Sequence, residues 1–393
     1  MSLSRKRSRQ RATLIGAAIG VVIIVTFVLS LIAPGSSSRT STSSDDLLST
    51  PLATAIVVPT PEPDPQVVGG TPYIHHSGLF RVFRPAGQDW VLDENASVSD
   101  SAIASVVIQN TRRLVVIHNY IRPHVEYETP QALSENFLTV QHFAGAWQDY
   151  AQWEETARSV QEDKVVVDFN LNQLDVDYIA RVAYWVQDGW LFVARVVTPA
   201  NNPLLLDRLF AQVEEGFVGF EALMALPVNW TAQVDQRLGY ILRHPNDWRH
   251  VAGDAGRPVT FVVETEAGTL RARAWAEADT PLADEEAARA WLVENRDEAE
   301  VLAAQPMQRG AGAGWALAYT FLSTTGDPLS GLALLLNDDA GTLFVADLQV
   351  PALEVNLLDA DAVEALDDVT ATARQALLEG FWVLDASLRV PEE

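Results

Sequence analysis

The chain has 393 residues, a length that indicates two or three domains, and its hydrophobic content of 48% is enough to build packed cores. It contains no cysteine, which excludes a disulfide framework, a cysteine nucleophile and a thiolate zinc site. The net charge of −25 disfavours nucleic-acid binding by the folded part, because an acidic surface repels phosphate backbones. We therefore expect no nucleic-acid partner.

The first 33 residues have the pattern of a membrane anchor. Residues 1–11 carry five basic residues and no acidic one, and residues 12–33 are apolar and uncharged. A helix over that stretch is about 33 Å long, enough to span a hydrocarbon core of about 30 Å. A cleaved signal peptide is the alternative, although its apolar region is usually shorter and Pro34 would follow the cleavage site directly. We predict a cytoplasmic tail at 1–11 and a single transmembrane helix at 12–33, with the folded domains outside the cytoplasm.

A linker follows the predicted anchor. Residues 34–71 are rich in serine, threonine, proline and glycine, and they lack the periodic apolar face that a packed core requires. The segment PTPEPDP at 59–65 is expected to be stiff and polyproline-like. We interpret residues 34–71 as a tether that holds the folded part away from the bilayer.

The pattern of residues 72–224 is typical of an α+β domain. Apolar β-rich runs predict strands, and apolar residues spaced three or four apart predict two helices. Asn202 and Pro203 suit the cap and the first turn of the second helix. The expected strands cover Leu79–Phe83, 102–108, 113–121, 164–169, 177–186 and 189–197; the first helix lies within 130–147, with Leu133, Phe137, Val140, Ala144 and Trp147 buried, and the second carries Leu206, Leu209, Val213, Phe217 and Phe220 inward.

The same order of elements recurs in residues 225–393. DGWLFVARVV at 188–197 is echoed by AGTLFVADLQV at 340–350, and EEGF at 214–217 by LEGF at 378–381. A diverged tandem duplication explains both the echoes and the repeated order. The expected strands of this second domain cover Tyr240–Leu242, 259–264, 269–276, 314–322, 330–337 and 341–350; a helix begins near Asp284 with Ala287, Ala288, Trp291 and Leu292 inward, and a closing helix covers 361–384.

The strands are sequential and alternating, which favours antiparallel sheets covered by one-sided helices. We therefore predict an α+β fold: two tandem copies of such a sheet, behind one N-terminal transmembrane helix. FRVFRPAGQDW at 80–90 and YILRHPNDW at 240–248 resemble the opening strand and turn of the Mog1/PsbP-like group, and the resemblance covers roughly 78–222 and 239–388. It implies a binding or scaffolding domain, and no functional residue is carried over from it.

The opening motif also has a structural interpretation. Pro85 and Pro245 end the strand and begin a turn, and Trp90 and Trp248 can fold back onto the sheet as apolar anchors. Stacking of these indoles on a ligand is the alternative. We predict that both tryptophans are anchors.

Polar motifs give few candidates for chemistry. The sequence has no serine-elbow, phosphate-loop or HExxH motif, and GAGAG at 310–314 precedes a strand, which is the wrong context for a dinucleotide. His118, His124 and Glu126 fall on one face if their segment is extended, and imidazole with carboxylate can bind a divalent metal. Pro123 breaks that register, so a solvated strand end is the preferred interpretation. We predict no catalytic residue and no cofactor.

The sequence thus leaves three functions open. The first is a non-enzymatic protein-binding or scaffolding module of the cell envelope, held at the membrane by residues 12–33. The second is a receptor domain for a small ligand, a glycan or a metal. The third is an extracytoplasmic hydrolase whose site is assembled from distant residues. The first is the main prediction, because duplication, tether and acidic surface accompany no catalytic signature.

Overall fold

The computed structural model describes residues 69–93, 103–123, 126–251, 258–265, 268–296, 298–323 and 326–390. The predicted cytoplasmic tail, the transmembrane helix at 12–33 and nearly all of the linker lie outside these residues. Within the described part of the chain, no helix is both long enough and apolar enough to cross a bilayer. The anchor therefore stays a prediction.

We call the elements from β1 to β10 the first repeat, which contains ten strands among the described residues. It is joined to the next strand through a short helix, α4 (Glu221–Met224). Its elements are β1 (Gly70–Ile74), β2 (Phe80–Pro85), β3 (Val91–Leu92), β4 (Ala104–Asn110), β5 (Val115–Pro123), α1 (Pro130–Ala132), a π-helical turn (Leu133–Phe137), α2 (Val140–Ala146), β6 (Gln152–Val160), β7 (Val165–Gln173), β8 (Val176–Gln187), β9 (Trp190–Pro199), α3 (Pro203–Gly216) and β10 (Val218–Gly219).

The second repeat contains the corresponding strands, β11 to β20. A 3₁₀ turn (Ala386–Leu388) follows the last of them. Its elements are β11 (Thr231–Asp235), β12 (Tyr240–His244), β13 (Arg249–Val251), β14 (Val259–Thr265), β15 (Gly268–Glu277), α5 (Glu285–Asn295), β16 (Glu300–Arg309), β17 (Gly312–Leu322), β18 (Pro328–Asn337), β19 (Leu343–Val350), α6 (Ala360–Glu364), α7 (Asp368–Gly380) and β20 (Phe381–Val383).

Both repeats have the same sheet topology. Each has a three-stranded sheet, β1-β2-β10 or β11-β12-β20, and a seven-stranded sheet, β3-β4-β5-β9-β8-β7-β6 or β13-β14-β15-β19-β18-β17-β16. The ladders between these strands are antiparallel. Even the irregularity is repeated, since β6 shifts register between Glu155 and Ala157 and β16 between Val301 and Ala303. The predicted α+β architecture with antiparallel sheets is therefore confirmed for the described residues.

Helix α3 packs on the sheet of the first repeat as the sequence predicts. Asn202 caps it by accepting from the backbone N–H of Leu205, and Pro203 is its first residue. All five predicted inward residues are buried, although the helix ends at Gly216 and the last two belong to the segment after it. The buried residues of that set are Leu206, Leu209, Val213, Phe217 and Phe220.

The helix predicted within 130–147 is broken. Leu138 leaves the helical region, and Thr139 then caps a new helix by accepting from the backbone N–H of His142. The break changes the helical phase, so Val140, predicted to be buried, is 74% exposed. Leu133 and Trp147 remain buried as predicted.

The closing helix predicted over 361–384 is also shorter than expected. It consists of α6 and α7, and the chain from Phe381 to Val383 is strand β20. Asp359 and Asp367 each cap one of the two helices, so a polar cap interrupts the apolar pattern. The strand follows because Phe381 pairs with β12.

A glycine ends the last helix of each repeat, which explains the echo between EEGF and LEGF. A Cβ atom at Gly216 would lie 2.5 Å from the Cβ of Phe83, and one at Gly380 would lie 2.5 Å from the carbonyl oxygen of Arg243. Phe83 and Arg243 occupy corresponding positions two residues before Pro85 and Pro245. Close contact between helix and strand therefore requires glycine at both places.

We expect Gly380→Ala to lower the free energy of unfolding by about 1–3 kcal/mol, because the added methyl group meets backbone that cannot rotate away. Urea unfolding of the full-length chain measures this. Gly145→Ala is the matched control: it lies in α2, where an added methyl group would meet no neighbour within 4 Å among the described residues, and alanine there should be neutral or stabilising. Equal effects at the two glycines would contradict the packing argument.

The cores of the two repeats are interleaved. Ile74, from β1 of the first repeat, is buried in the core of the second repeat together with Leu223 of the connecting segment. The side-chain amide of Gln236 donates to the carbonyl of Pro72 at 3.1 Å and to that of Leu388 at 3.0 Å. The start of the first repeat is thus held by the second.

A buried arginine fixes the connection between the repeats. Arg243 on β12 is fully buried, and its guanidinium donates to the carbonyls of Leu223, Pro227 and Trp230. Burial lowers its pKa to about 10, so it remains a cation at neutral pH. The connecting segment supplies carbonyl dipoles in place of a carboxylate.

Both tryptophans of the opening motif are anchors, as predicted. Trp90 is 7% exposed in the core of the first repeat, and Trp248 is 6% exposed in the core of the second. The ring of Trp248 also stacks on that of His244 at 5.3 Å. Their burial leaves little of either ring for a ligand.

His75, next to Ile74, is a buried neutral imidazole. Its Nε2 lies 3.0 Å from the carbonyl oxygen of Ser105, so Nε2 carries the proton and donates. Its Nδ1 lies 2.8 Å from Ser77 Oγ and accepts from the backbone N–H of Ser77 at 3.3 Å. Burial, and then His76, lower the pKa of His75 to about 3, while the bond to Ser105 acts in the opposite direction.

This histidine should make the fold sensitive to mild acid. Above pH 6.5, the pKa of histidine in the unfolded chain, His75 is neutral in both states. Between pH 6.5 and about pH 3, only the unfolded chain gains a proton at this residue. The free energy of unfolding therefore decreases as the pH is lowered through this range. At pH 5 the contribution is about 2 kcal/mol. We expect His75→Gln to reduce the stability loss between pH 7 and pH 5 by about that amount, and His250→Gln, at an exposed position, to leave it unchanged. Identical pH profiles for wild type and His75→Gln would show that His75 is not held neutral.

Candidate functional site

The centre of each seven-stranded sheet carries a pair of polar side chains at corresponding positions. In the first repeat His118 on β5 lies opposite Arg195 on β9, and in the second repeat Arg273 on β15 lies opposite Asp347 on β19. The echo LFVAR against LFVAD aligns Arg195 with Asp347. The charge at this position is therefore reversed between the repeats.

In the second repeat, Asp347 is the centre of a buried polar network. Its side chain is 1% exposed. Oδ1 accepts the hydroxyl of Tyr319, and Oδ2 accepts from Arg296, from Arg273 at 2.8 Å and from Gln349 at 3.2 Å. Four donors thus occupy the carboxylate, which is the pairing that a buried charge requires.

Neighbouring elements bring these residues together. Arg273 is paired with Asp347 across the ladder between β15 and β19, and Tyr319 comes from β17, two strands further along the sheet. Arg296 is the first residue after α5. Asp284 caps the N-terminal end of this helix by accepting from the backbone N–H of Ala287. The sequence prediction of a helix starting near Asp284 is confirmed, and its C-terminal end positions the second arginine.

The network forms one wall of a cavity between α5 and the sheet. The cavity has a volume of about 210 Å³. The indoles of Trp275 and Trp291 line it with their ring centroids 6.5 Å apart. The Nε atoms of Arg273 and Arg296 are buried without hydrogen-bond partners within the described chain. Two indoles and two guanidinium groups therefore face the same space.

The electrostatics of the site favour an anion. Burial, and then Asp347, raise the pKa of the Tyr319 hydroxyl well above its usual value, so Tyr319 stays protonated and donates. Burial alone would lower the pKa of Arg296, but Asp347 and Tyr319 outweigh burial and the pKa is raised. Two cations and one carboxylate leave a net positive charge. Because its lone pairs are occupied, Asp347 is suited to orienting the two arginines.

The structure describes only two of the three residues of the predicted metal site. His118 lies within β5 beside Arg195, and burial, and then that cation, lower the pKa of His118 to about 3. Glu126 is exposed beyond the end of β5, and His124 lies outside the described residues. Among the residues described, no three histidine, aspartate or glutamate side chains are grouped to hold a metal ion. The candidate site stays a hypothesis without geometric support.

Sequence reasoning missed the residues of the cavity. Asp347 lies in the echo between the repeats, as a lone acid in the otherwise apolar run LFVAD, where the first repeat has an arginine. A charged residue at the centre of a buried strand needs a partner, and that was the available signal. Arg273 and Arg296 could not be assigned to it, because 74 and 51 residues separate them from Asp347.

No protein-family model matches the sequence, and no curated protein sequence matches it either. Similar solved structures do exist. The Ran-binding protein Mog1p of Saccharomyces cerevisiae is 12% identical over 38% of this chain and 95% of its own, with a TM-score of 0.29. PsbP of Synechocystis sp. PCC 6803 is 14% identical over 38% of this chain and 92% of its own, with a TM-score of 0.28.

A third similar structure aligns with most of this chain. It is the T6SS immunity protein TplEi of Pseudomonas aeruginosa in complex with a peptide, which is 13% identical over 80% of this chain and 98% of its own, with a TM-score of 0.21. With TM-scores below 0.5, the likeness is coarse and indicates nothing about function.

Proposed function

We propose that this chain is a non-enzymatic binding protein of the cell envelope, anchored by residues 12–33, whose second repeat holds an acidic group of a protein partner in the cavity beneath α5. The observation that carries the proposal is the pair of arginines, Arg273 and Arg296, oriented by one buried carboxylate toward a space lined by two indoles. Arginine pairs well with carboxylates because its donors form a planar fork.

The size of the cavity supports a partner-borne group. Sites for drug-sized ligands are usually about 300–1,000 Å³, and this cavity of about 210 Å³ is smaller. A space of this size suits one side chain or a chain terminus, held by an aromatic and arginine-rich anchor of the kind that dominates protein interfaces. The remaining acidic surface of the chain would repel an acidic partner elsewhere, which limits binding to this point.

The test is cross-linked capture from the native membrane with the full-length protein, analysed by mass spectrometry. We expect wild type and Arg289→Gln to retain a stoichiometric partner, because Arg289 lies on the same helix but pairs with Glu285 instead of Asp347. We expect Trp291→Ala to reduce recovery of that partner at least tenfold. Capture that is unaffected by Trp291→Ala, or no partner with wild type, would reject the proposal.

A second candidate function is a receptor for a small acidic or glycan ligand, which the paired indoles of Trp275 and Trp291 favour. A thermal-shift screen of the full-length chain separates it from the first. A free compound that raises the melting temperature of wild type and of Arg289→Gln, but not of Trp291→Ala, would favour the receptor.

A further inference from the structure

The first repeat contains a basic cluster where the second repeat has Asp347. It consists of Arg122 on β5, Arg195 on β9, and His142 and Trp147 from the helical segment that covers this face of the sheet. The guanidinium carbon of Arg122 lies 4.7 Å from the ring centroid of Phe137, and that of Arg195 lies 4.5 Å from the ring centroid of Trp147. Both arginines are half-buried, so their charges are partly removed from water.

Neither arginine has an acidic partner in the part of the chain that the structure describes. They contact aromatic rings and, in the case of Arg195, the carbonyl of Ala146 at 3.2 Å. Several half-buried arginines do have such partners, whereas Arg309 and Arg374 donate to backbone carbonyls. The acid-paired arginines include Arg158 with Glu155, Arg181 with Asp168, Arg296 with Asp347 and Arg389 with Asp338.

The cluster presents donors and no anionic acceptor among the described residues. The Nε atoms of Arg122 and Arg195, Nε1 of Trp147 and Nε2 of His142 are buried and have no hydrogen-bond partner in that part of the chain. The arginine and indole nitrogens can only donate. Buried donors of this kind cost free energy unless an acceptor reaches them.

Both guanidinium charges act on the same surroundings. Burial, then Arg122, then Arg195 lower the pKa of His142 to about 4. Both arginines also act on the phenol of Tyr120, whose pKa is nevertheless raised because burial outweighs them. The two arginines therefore flank one region that is positively charged and poor in water.

We propose that this cluster is a binding site for an oxyanion, a phosphate, sulfate or carboxylate group held by Arg122 and Arg195. In the second repeat the corresponding position supplies its own anion, Asp347, to two arginines. In the first repeat the residue aligned with Asp347 is itself an arginine, Arg195, and His118 stands where the second repeat has Arg273. No acid of the described chain fills that position, so the anion comes from outside the chain. The oxygens of such a group supply the acceptors that the buried donors require. This site is separate from the cavity beneath α5, so it does not depend on the proposed function.

The test measures thermal unfolding of the full-length chain with inorganic phosphate, sulfate or acetate against chloride at equal ionic strength. At about tenfold above its dissociation constant, a bound anion should raise the melting temperature by about 3–6 °C in a saturable way. A rise with acetate alone assigns the site to a carboxylate, and a rise with phosphate or sulfate assigns it to the free oxyanion; both support the site.

The variants decide whether the effect belongs to this cluster. Arg122→Gln should abolish the anion-dependent rise, and Arg208→Gln, at an exposed position on α3, should retain it. Arg122→Lys keeps the charge but loses the planar fork, and it should weaken the response. If none of the three anions raises the melting temperature of wild type beyond chloride, or if Arg122→Gln responds like wild type, the proposal is wrong.

Discussion

Replacement of Asp347 with asparagine is expected to lower the free energy of unfolding by about 3–5 kcal/mol. The substitution keeps the shape of the side chain but leaves Arg273 and Arg296 next to each other without a counter-charge, and removing one partner of a buried ion pair has a cost of this size. Their side chains are 25% and 20% exposed, so water screens the remaining charges only in part. Urea unfolding of the full-length chain measures the change.

The matched control breaks an exposed ion pair in the same repeat. Glu285→Gln removes the partner of Arg289, and both of those side chains are more than a third exposed, so the change should be below about 1 kcal/mol. Adding Arg273→Met to Asp347→Asn should restore part of the lost stability, since one uncompensated cation is removed. If Asp347→Asn costs no more than Glu285→Gln, the network does not hold this part of the fold.

Arg243→Met should also destabilise the chain strongly, by about 3 kcal/mol or more. Methionine fills much of the space but leaves the carbonyls of Leu223, Pro227 and Trp230 without their donor, at about 1–3 kcal/mol for each one that stays buried. Because those carbonyls belong to the connection between the repeats, the loss should affect both repeats. Calorimetric unfolding of the full-length chain gives the measurement.

Arg271→Met is the control for that prediction. Arg271 lies on an outer position of β15 and is exposed, so its replacement should change stability by less than about 0.5 kcal/mol. A similar small change for Arg243→Met would mean that the connecting segment is satisfied in another way.

The sequence predicts the parts of this fold in which local and global preferences agree. The apolar strands at the centre of each sheet, the caps at Asn202 and Asp284, and the buried rings of Trp90 and Trp248 all follow from patterns within about ten residues. The antiparallel pairing of the strands is a less direct inference, which depends on the same elements occurring in the same order in both halves of the sequence. Those features carry the same signal in both repeats.

The sequence does not predict the edge strands. β6, which covers Gln152–Val160, is exposed along most of its length, so it lacks the alternation of apolar and polar residues that marks a half-buried strand. β16, over Glu300–Arg309, is more half-buried than exposed, but it also has no fully buried residue. Both strands are held by their ladders to the next strand, β7 or β17, and the sequence pattern of β6 or β16 alone does not reveal that pairing.

The candidate sites are even less predictable, because their residues meet only in the folded chain. His118 stood out as part of a histidine-rich segment, yet its neighbour across the sheet is Arg195, 77 residues later, which makes metal binding there unfavourable. Tyr319 gave no signal in the sequence, since a tyrosine in an apolar strand is ordinary core material. Only the structure shows its hydroxyl on Asp347.

The interleaving of the two cores also bears on the order in which the chain matures. Ile74 emerges from the ribosome more than 150 residues before β12, whose Tyr240 and Ile241 belong to the same core. Until those residues arrive, Ile74 lacks the core in which it is buried in the finished chain. We expect a nascent chain that stops at residue 224 to be recognised by proteases and chaperones, because its completion depends on sequence that has not yet been made.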